Sequence, residues 1–187
     1  MVKRFFDLGL AIVLLASIFP FILLIAIIIK LTSKGEIIHW SNRIGFLNKT
    51  FLMPKFRTMK VNTPSLATHL MDNPNCYLTS FGTFLRKTSL DELPQLWNIL
   101  IGEMSFVGPR PALYNQYDLI ELRTAKGLQT LVPGLTGWAQ INGRDSISIL
   151  EKVKFDEEYL KRKSLLFDLK ILLLTFAKVI SREDVQH

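Results

Sequence analysis

The stretch "LASIFPFILL", residues 15–24, sets a proline inside an apolar run, and how that break is read decides the fold. From Leu8 to Ile29 there are 22 residues without a charge. As a helix rising about 1.5 Å per residue this run is about 33 Å long, enough for a hydrocarbon core of about 30 Å. Pro20 has no N–H to donate, so the carbonyl of Ala16 loses its intrahelical partner in a solvent that offers no replacement. A kink at Pro20 is the expected result, with Ser17 near enough to satisfy a freed carbonyl.

Three membrane readings compete. A kinked helix can still cross, and proline is tolerated in membrane helices. A cleaved signal peptide is disfavoured, because the run exceeds a usual apolar core and no small-x-small site closes it. Basic residues decide the third: Lys3 and Arg4 precede the run, and Lys30 and Lys34 follow it. A single span should carry its basic excess on one side, whereas a helix that dips in, bends at Pro20 and returns leaves both flanks in one compartment. The sequence therefore favours a re-entrant, proline-broken membrane helix over residues 1–34.

The remaining residues, 35–187, suit one compact domain. A lone cysteine, Cys76, and three scattered histidines exclude an internal disulfide framework and a zinc site. The net charge of +7 and a pI near 9.6 point to an anionic partner: nucleic acid, acidic lipid or a phosphorylated substrate. Nucleic acid is set aside, because no recognition motif and no dense Lys/Arg face interleaved with aromatics is present.

The predicted fold class is α+β, mostly helical with a short β-hairpin. The segments 36–40 and 49–59 read as a strand pair around "SNRIGFLN", and residues 60–78 as a surface loop. Helical texture returns near Thr79, continues through "LDELPQLWNILIG" (90–102), and recurs from about Gln116 to Leu131. The Gly/Pro-rich segments "MSFVGPRPAL" and "VPGLTGWAQINGR" read as turns that could hold functional groups rigidly. Two helices close the chain, and the second, "SLLFDLKILLLTFAKVI", is apolar around much of its circumference, so it is either buried or lies in the membrane interface; the pair is expected to form amphipathic, interfacial helices.

"SLDEL" (89–93) carries adjacent carboxylates, Asp91 and Glu92, ahead of Pro94. The bland reading is a capping box between Ser89 and Glu92, a spacing repeated at Ser33/Glu36 and Ser148/Glu151. The functional reading is a metal ligand or nucleophile, held ionised at a helix start, since paired carboxylates can hold Mg²⁺ together with substrate phosphates. Basic residues that could bind those phosphates are Lys55, Arg57, Arg86, Arg110 and Arg144. If 55–59 is a strand, Lys55 and Arg57 share a face and could clamp a diphosphate.

Taken in order, the proline-broken N-terminus, "KFRTM", "SLDELPQLWN", "GEMSFVGPRPAL" and "PGLTGWAQINGR" closely resemble the small monotopic phosphoglycosyl transferases, bacterial sugar transferases that initiate membrane glycan assembly. The resemblance covers nearly the whole chain. It implies a re-entrant helix bent at Pro20, a catalytic domain facing the cytoplasm at the bacterial inner membrane, and Mg²⁺ dependence. It also implies transfer of a sugar 1-phosphate from a UDP-sugar to polyprenyl (undecaprenyl) phosphate, with release of UMP. Asp91 would be the nucleophile that forms an aspartyl phosphosugar, and Glu92 would serve metal binding or proton handling. The sugar stays open between an N-acetylated amino sugar and a hexose. Phe19 stands where the family usually has Ser before the proline, Val132 replaces an arginine common before "PG", and Ile44 a proline common in "NRPG". The alternative from another class is a catalytically inactive, membrane-anchored scaffold of the same fold.

Overall fold

The computed structural model describes residues 2–61, 63, 74–143 and 147–181. The first element is one helix, α1 (Val2–Thr32), with Pro20 inside it. Among the described residues it is the one helix long and apolar enough to cross a membrane, and its apolar side chains stand exposed along its whole length, from Val2 and Phe5 through Phe19 and Phe21 to Leu31. So much exposed apolar surface requires a non-aqueous environment and supports membrane association. Ser17 does not serve the carbonyl that Pro20 frees. Its hydroxyl donates to Val13 O and Leu14 O, one turn earlier than expected, because a serine hydroxyl reaches only the i−3 and i−4 carbonyls of its own helix.

Both ends of α1 rest on the rest of the chain. Near the N-terminus, Arg4 donates to the carbonyls of Ile99 and Leu100. Lys3 pairs with Asp168 at 2.5 Å, and the buried Asp7 accepts from the Phe106 amide. Asp168 in turn accepts from the Tyr159 hydroxyl. Ala11 is fully buried in the main core with Leu96, Ile99, Phe106 and Ile171. Toward the C-terminus, Ile25 and Ile29 pack with Phe56 and Leu85 in a second cluster.

The hairpin is formed by β1 (Ile38–Ile44) and β2 (Thr50–Phe56). They pair antiparallel from Ile38↔Phe56 to Ile44↔Thr50. The first strand is longer than expected, since "SNRI" extends it and the turn is confined to Gly45–Lys49. The second is shorter: it ends at Phe56, so residues 57–59 are not part of it. A third strand, which the sequence reading missed, is β4 (Ala112–Leu113), and it pairs with β1. Most of the loop expected at 60–78 lies outside the described residues, apart from a 3-10 turn at Pro74–Tyr77.

Helix α2 (Ser80–Lys87) is capped by Thr79, whose hydroxyl accepts from the Gly82 amide. A 3-10 turn, Leu90–Gln95, carries the carboxylate dyad into α3 (Leu96–Ile101). The Gly/Pro-rich segments are not turns throughout. They contain β3 (Ser105–Val107) and β5 (Gly134–Thr136), paired in parallel. Glycine makes that crossing possible: a Cβ on Gly134 would lie 2.1 Å from the Gly108 nitrogen.

The helix expected over 116–131 is shorter. Helix α4 (Tyr117–Ala125) stops before Gly127, whose φ of 72° breaks the run, and a 3-10 turn at Leu128–Thr130 follows. After the short α5 (Trp138–Ile141) come α6 (Ile149–Arg162) and α7 (Leu165–Ser181). Ser148 and Glu151 form a capping box at the start of α6. On α7 the inward residues Phe167 and Ile171 are apolar and so are the exposed Leu166, Leu173 and Phe176.

Candidate active site

The dyad turn is entered through strained backbone: Ser89 has φ 56°, a left-handed conformation that is uncommon for residues other than glycine. Its side chain makes no capping hydrogen bond to the turn. The capping-box reading of Ser89 and Glu92 therefore fails, although the same spacing at Ser148 and Glu151 does form one. Glu92 turns instead to two cations. Lys55 Nζ lies 2.7 Å from Glu92 Oε1, and Arg110 Nη2 lies 3.2 Å from the same oxygen.

Asp91 is buried beside this cluster, and burial is the largest influence on its carboxyl, raising its pKa. Lys55, Arg86 and Arg110 pull the other way, while Glu92 adds to the rise. Burial therefore opposes the ionised form that a helix start would favour, and the three neighbouring cations support it. Burial likewise lowers the Lys55 pKa, with Glu92 as the main opposing influence. Three cations face two carboxylates, so the cluster keeps a positive excess suited to an anionic ligand.

Each cation is held by the fold. Lys55 sits near the end of β2, on the face shared with Met53 and Phe51, which are core residues. Arg86, near the end of α2, donates through Nε to the buried Thr58 hydroxyl at 3.0 Å. Gly82 allows this docking, since a Cβ there would lie 2.1 Å from the Thr58 carbonyl oxygen. Arg110 follows β3, and its carbonyl accepts from Arg123 Nη1 at 2.9 Å. Arg123 also donates to Asp156 Oδ2 through Nε and Nη2, at 2.9 and 2.7 Å. Sequence reasoning missed Thr58, Arg123 and Asp156. No spacing signal marks them, because each comes from a different element and acts on a neighbour.

Arg57 departs from the expected clamp. With β2 ended at Phe56, Arg57 is free of strand alternation, and its Nη2 donates to the Ser33 carbonyl and hydroxyl at the end of α1. It fastens α1 to the hairpin. Arg144 lies outside the described residues.

Among the described residues no group of three or more His, Cys, Asp or Glu side chains could cage a metal. The dyad fits the other mode of Mg²⁺ binding, in which one or two carboxylates hold the ion and substrate phosphates complete its shell. The buried Asp91 carboxyl would be better compensated by such a cation, whereas Glu92 Oε1 already faces Lys55 and Arg110.

The family model described as "Bacterial sugar transferase" matches residues 1–182. The chain is 41% identical over 185 residues to the "Uncharacterized sugar transferase EpsL" of Bacillus subtilis (strain 168), covering 99% of this chain and 90% of that one. It is 43% identical to the "UDP-glucose:undecaprenyl-phosphate glucose-1-phosphate transferase" of Escherichia coli (strain K12), covering 95% of this chain and 40% of that protein. It is 40% identical to the "Exopolysaccharide production protein ExoY" of Sinorhizobium fredii (strain NBRC 101917 / NGR234), covering 95% of this chain and 84% of that one. With the match running through α1, the hairpin, the dyad turn and the Arg110 loop alike, the chain belongs to the bacterial sugar transferase family.

Proposed function

We propose that this protein is a phosphoglycosyl transferase that moves a sugar 1-phosphate from a UDP-sugar to polyprenyl phosphate and releases UMP. The observation that carries the reading is the buried Asp91–Glu92 dyad set among Lys55, Arg86 and Arg110. Relatives named for glucose 1-phosphate transfer to undecaprenyl phosphate give the substrate classes. A buried, charged and strained cluster of this kind is costly to keep in a scaffold, and it favours the enzyme over the inactive alternative.

In this mechanism an Asp91 carboxylate oxygen attacks the sugar-bearing phosphorus of the UDP-sugar. The new O–P bond forms as the bond from that phosphorus to the bridging oxygen breaks, and UMP leaves with the electron pair. A phosphate oxygen of the polyprenyl phosphate then attacks the same phosphorus and displaces the Asp91 carboxylate, yielding the lipid diphosphosugar. Lys55 and Arg110 orient Glu92 and, with Arg86, present positive charge to the diphosphate. Asp91 and Glu92 would hold Mg²⁺, which supplies further neutralisation of diphosphate charge when bound.

The same contacts support a topology. Lys3 and Arg4 at one end of α1 and Ser33 at the other are all fastened to the domain that carries the dyad. A helix held to one body at both ends supports the re-entrant, monotopic reading, with the catalytic domain on the cytoplasmic face of the inner membrane. A covalent carrier at this depth spares the enzyme from holding a soluble and a bilayer-bound substrate at once. The test is UMP release by purified protein across a panel of UDP-sugars with polyprenyl phosphate and Mg²⁺. Activity with at least one sugar, abolished in Asp91→Asn, is expected; no UMP from any of them would refute the proposal.

A further inference from the structure

Beside the dyad turn, the β1–β2 hairpin and the outer face of α3 line an open cleft of about 390 Å³. Its apolar lining is Trp40, Leu52, Trp97 and Ile101, and its polar rim includes Asn42 and Glu103. Trp40 is 51% exposed and Trp97 55%, a large apolar outlay for surface residues with no role in the site. Both walls are fixed. Asn98 Nδ2 donates to Leu52 O at 2.9 Å and to Glu103 Oε2 at 2.7 Å, which locks α3 against the strand edge.

The cleft borders α1 at two points. Ile101 ends α3 next to the Ile99 and Leu100 carbonyls that Arg4 holds. Trp40 lies one register position along its face from the Ile38↔Phe56 pair, and Phe56 packs with Ile25 and Ile29. The cleft is thus flanked by residues that touch α1 near its N-terminus and in its C-terminal half, and α1 carries exposed apolar side chains along its length. Near the N-terminus of α1, the Lys3–Asp168 pair brings up α7 with its exposed Leu166, Leu173 and Phe176.

We propose that Trp40 and Trp97 form an interfacial anchor that seats the hairpin and α3 at the headgroup–acyl boundary of the phospholipid bilayer occupied by α1. Indole rings favour that boundary because one side is apolar and the N–H needs a polar partner. The anchor has a mechanical consequence. Trp97 follows Asp91 by six residues of 3-10 and α-helix, about 10 Å along the axis, so it sets the height of the dyad above the lipid. The consequence for the dyad rests on the proposed function, whereas the membrane contact itself does not.

The test uses the full chain in phospholipid vesicles containing phosphatidylcholine brominated either near the headgroup end or near the tail end of the acyl chain. Single-tryptophan variants are made from Trp138→Phe with Trp40→Phe or Trp97→Phe. Each remaining indole should be quenched at least twofold more by the shallow bromines than by the deep ones, and be shielded from aqueous acrylamide. If Trp138→Phe does not fold, quenching of the wild type is compared with Trp40→Phe/Trp97→Phe, which should lose the shallow component. Free access to acrylamide without bromine quenching would overturn the proposal. So would shielding from acrylamide without bromine quenching that grows with protein density, the mark of a second copy of this chain. UMP release measured on the same samples separates the two claims, since quenching does not depend on turnover.

Discussion

Replacing Lys55 by methionine removes the ammonium that holds Glu92 and keeps most of the side chain's length. In the native cluster Lys55 Nζ lies 2.7 Å from Glu92 Oε1, with both side chains largely buried. Removing one partner of a buried pair costs about 3–5 kcal/mol, because the charge left behind remains desolvated. Arg110 still reaches the same oxygen at 3.2 Å, which puts the loss at the lower end, about 3 kcal/mol. For a chain of this size each kcal/mol moves the melting midpoint by about 2–4 °C, so a fall of about 6–12 °C is expected. The double variant Lys55→Met/Glu92→Gln should regain much of it, since a neutral pair needs no compensating charge. The assay is thermal unfolding in detergent micelles, followed by circular dichroism for all four members of the cycle. The coupling should be about 1–3 kcal/mol. Strict additivity, or a Lys55→Met loss below about 1 kcal/mol, would show that the pair behaves as a solvated surface contact and would refute the reasoning.

Three further outcomes follow from the same geometry. Burial raises the folded pKa of Asp91 above its unfolded value, so ionising it costs stability once the pH passes the ordinary carboxylate range. Asp91→Asn should therefore raise the melting midpoint at pH 8 and bring no gain near pH 3, where Asp91 is largely protonated in both states. The acid limb of kcat/KM should lie above the ordinary carboxylate range, and Lys55→Met should move it higher still, because Lys55 is the largest charge opposing the rise; a downward shift would contradict this. Arg123→Met strands the buried Asp156 and should cost about 3–5 kcal/mol by denaturant titration, with little rescue by Arg123→Lys, which cannot supply two donors in a fixed fork.

Much of this was legible in the chain itself. The length and hydropathy of Leu8–Ile29, the hairpin and the dyad before Pro94 are local signals and each appears in the structure, although β1 runs on through Ile44 and β2 stops at Phe56. Non-local pairing was illegible. β3 and β5 are three residues each and hold together through glycine contacts between segments 29 residues apart, Ser105 with Gly134, so nothing in either segment alone marks a strand. The termination of β2 at Phe56 undid the Lys55–Arg57 alternation for the same reason, since Arg57 answers to Ser33 and not to its neighbours in sequence. The direction of the Asp91 shift was unreadable because it depends on burial, which only the assembled cluster of β2, α2 and the Arg110 loop provides.

The account turns on Asp91 carrying the sugar phosphate, and intact-protein mass spectrometry tests that most directly. Wild type and Asp91→Asn are exposed to a UDP-sugar and Mg²⁺ without lipid acceptor, then sampled again after polyprenyl phosphate is added. The account predicts a wild-type adduct of one sugar phosphate on the peptide containing Asp91, with an equivalent of UMP released, and its discharge by the lipid. An adduct that persists in Asp91→Asn, or turnover by the wild type with UMP appearing only once lipid is present, would contradict it.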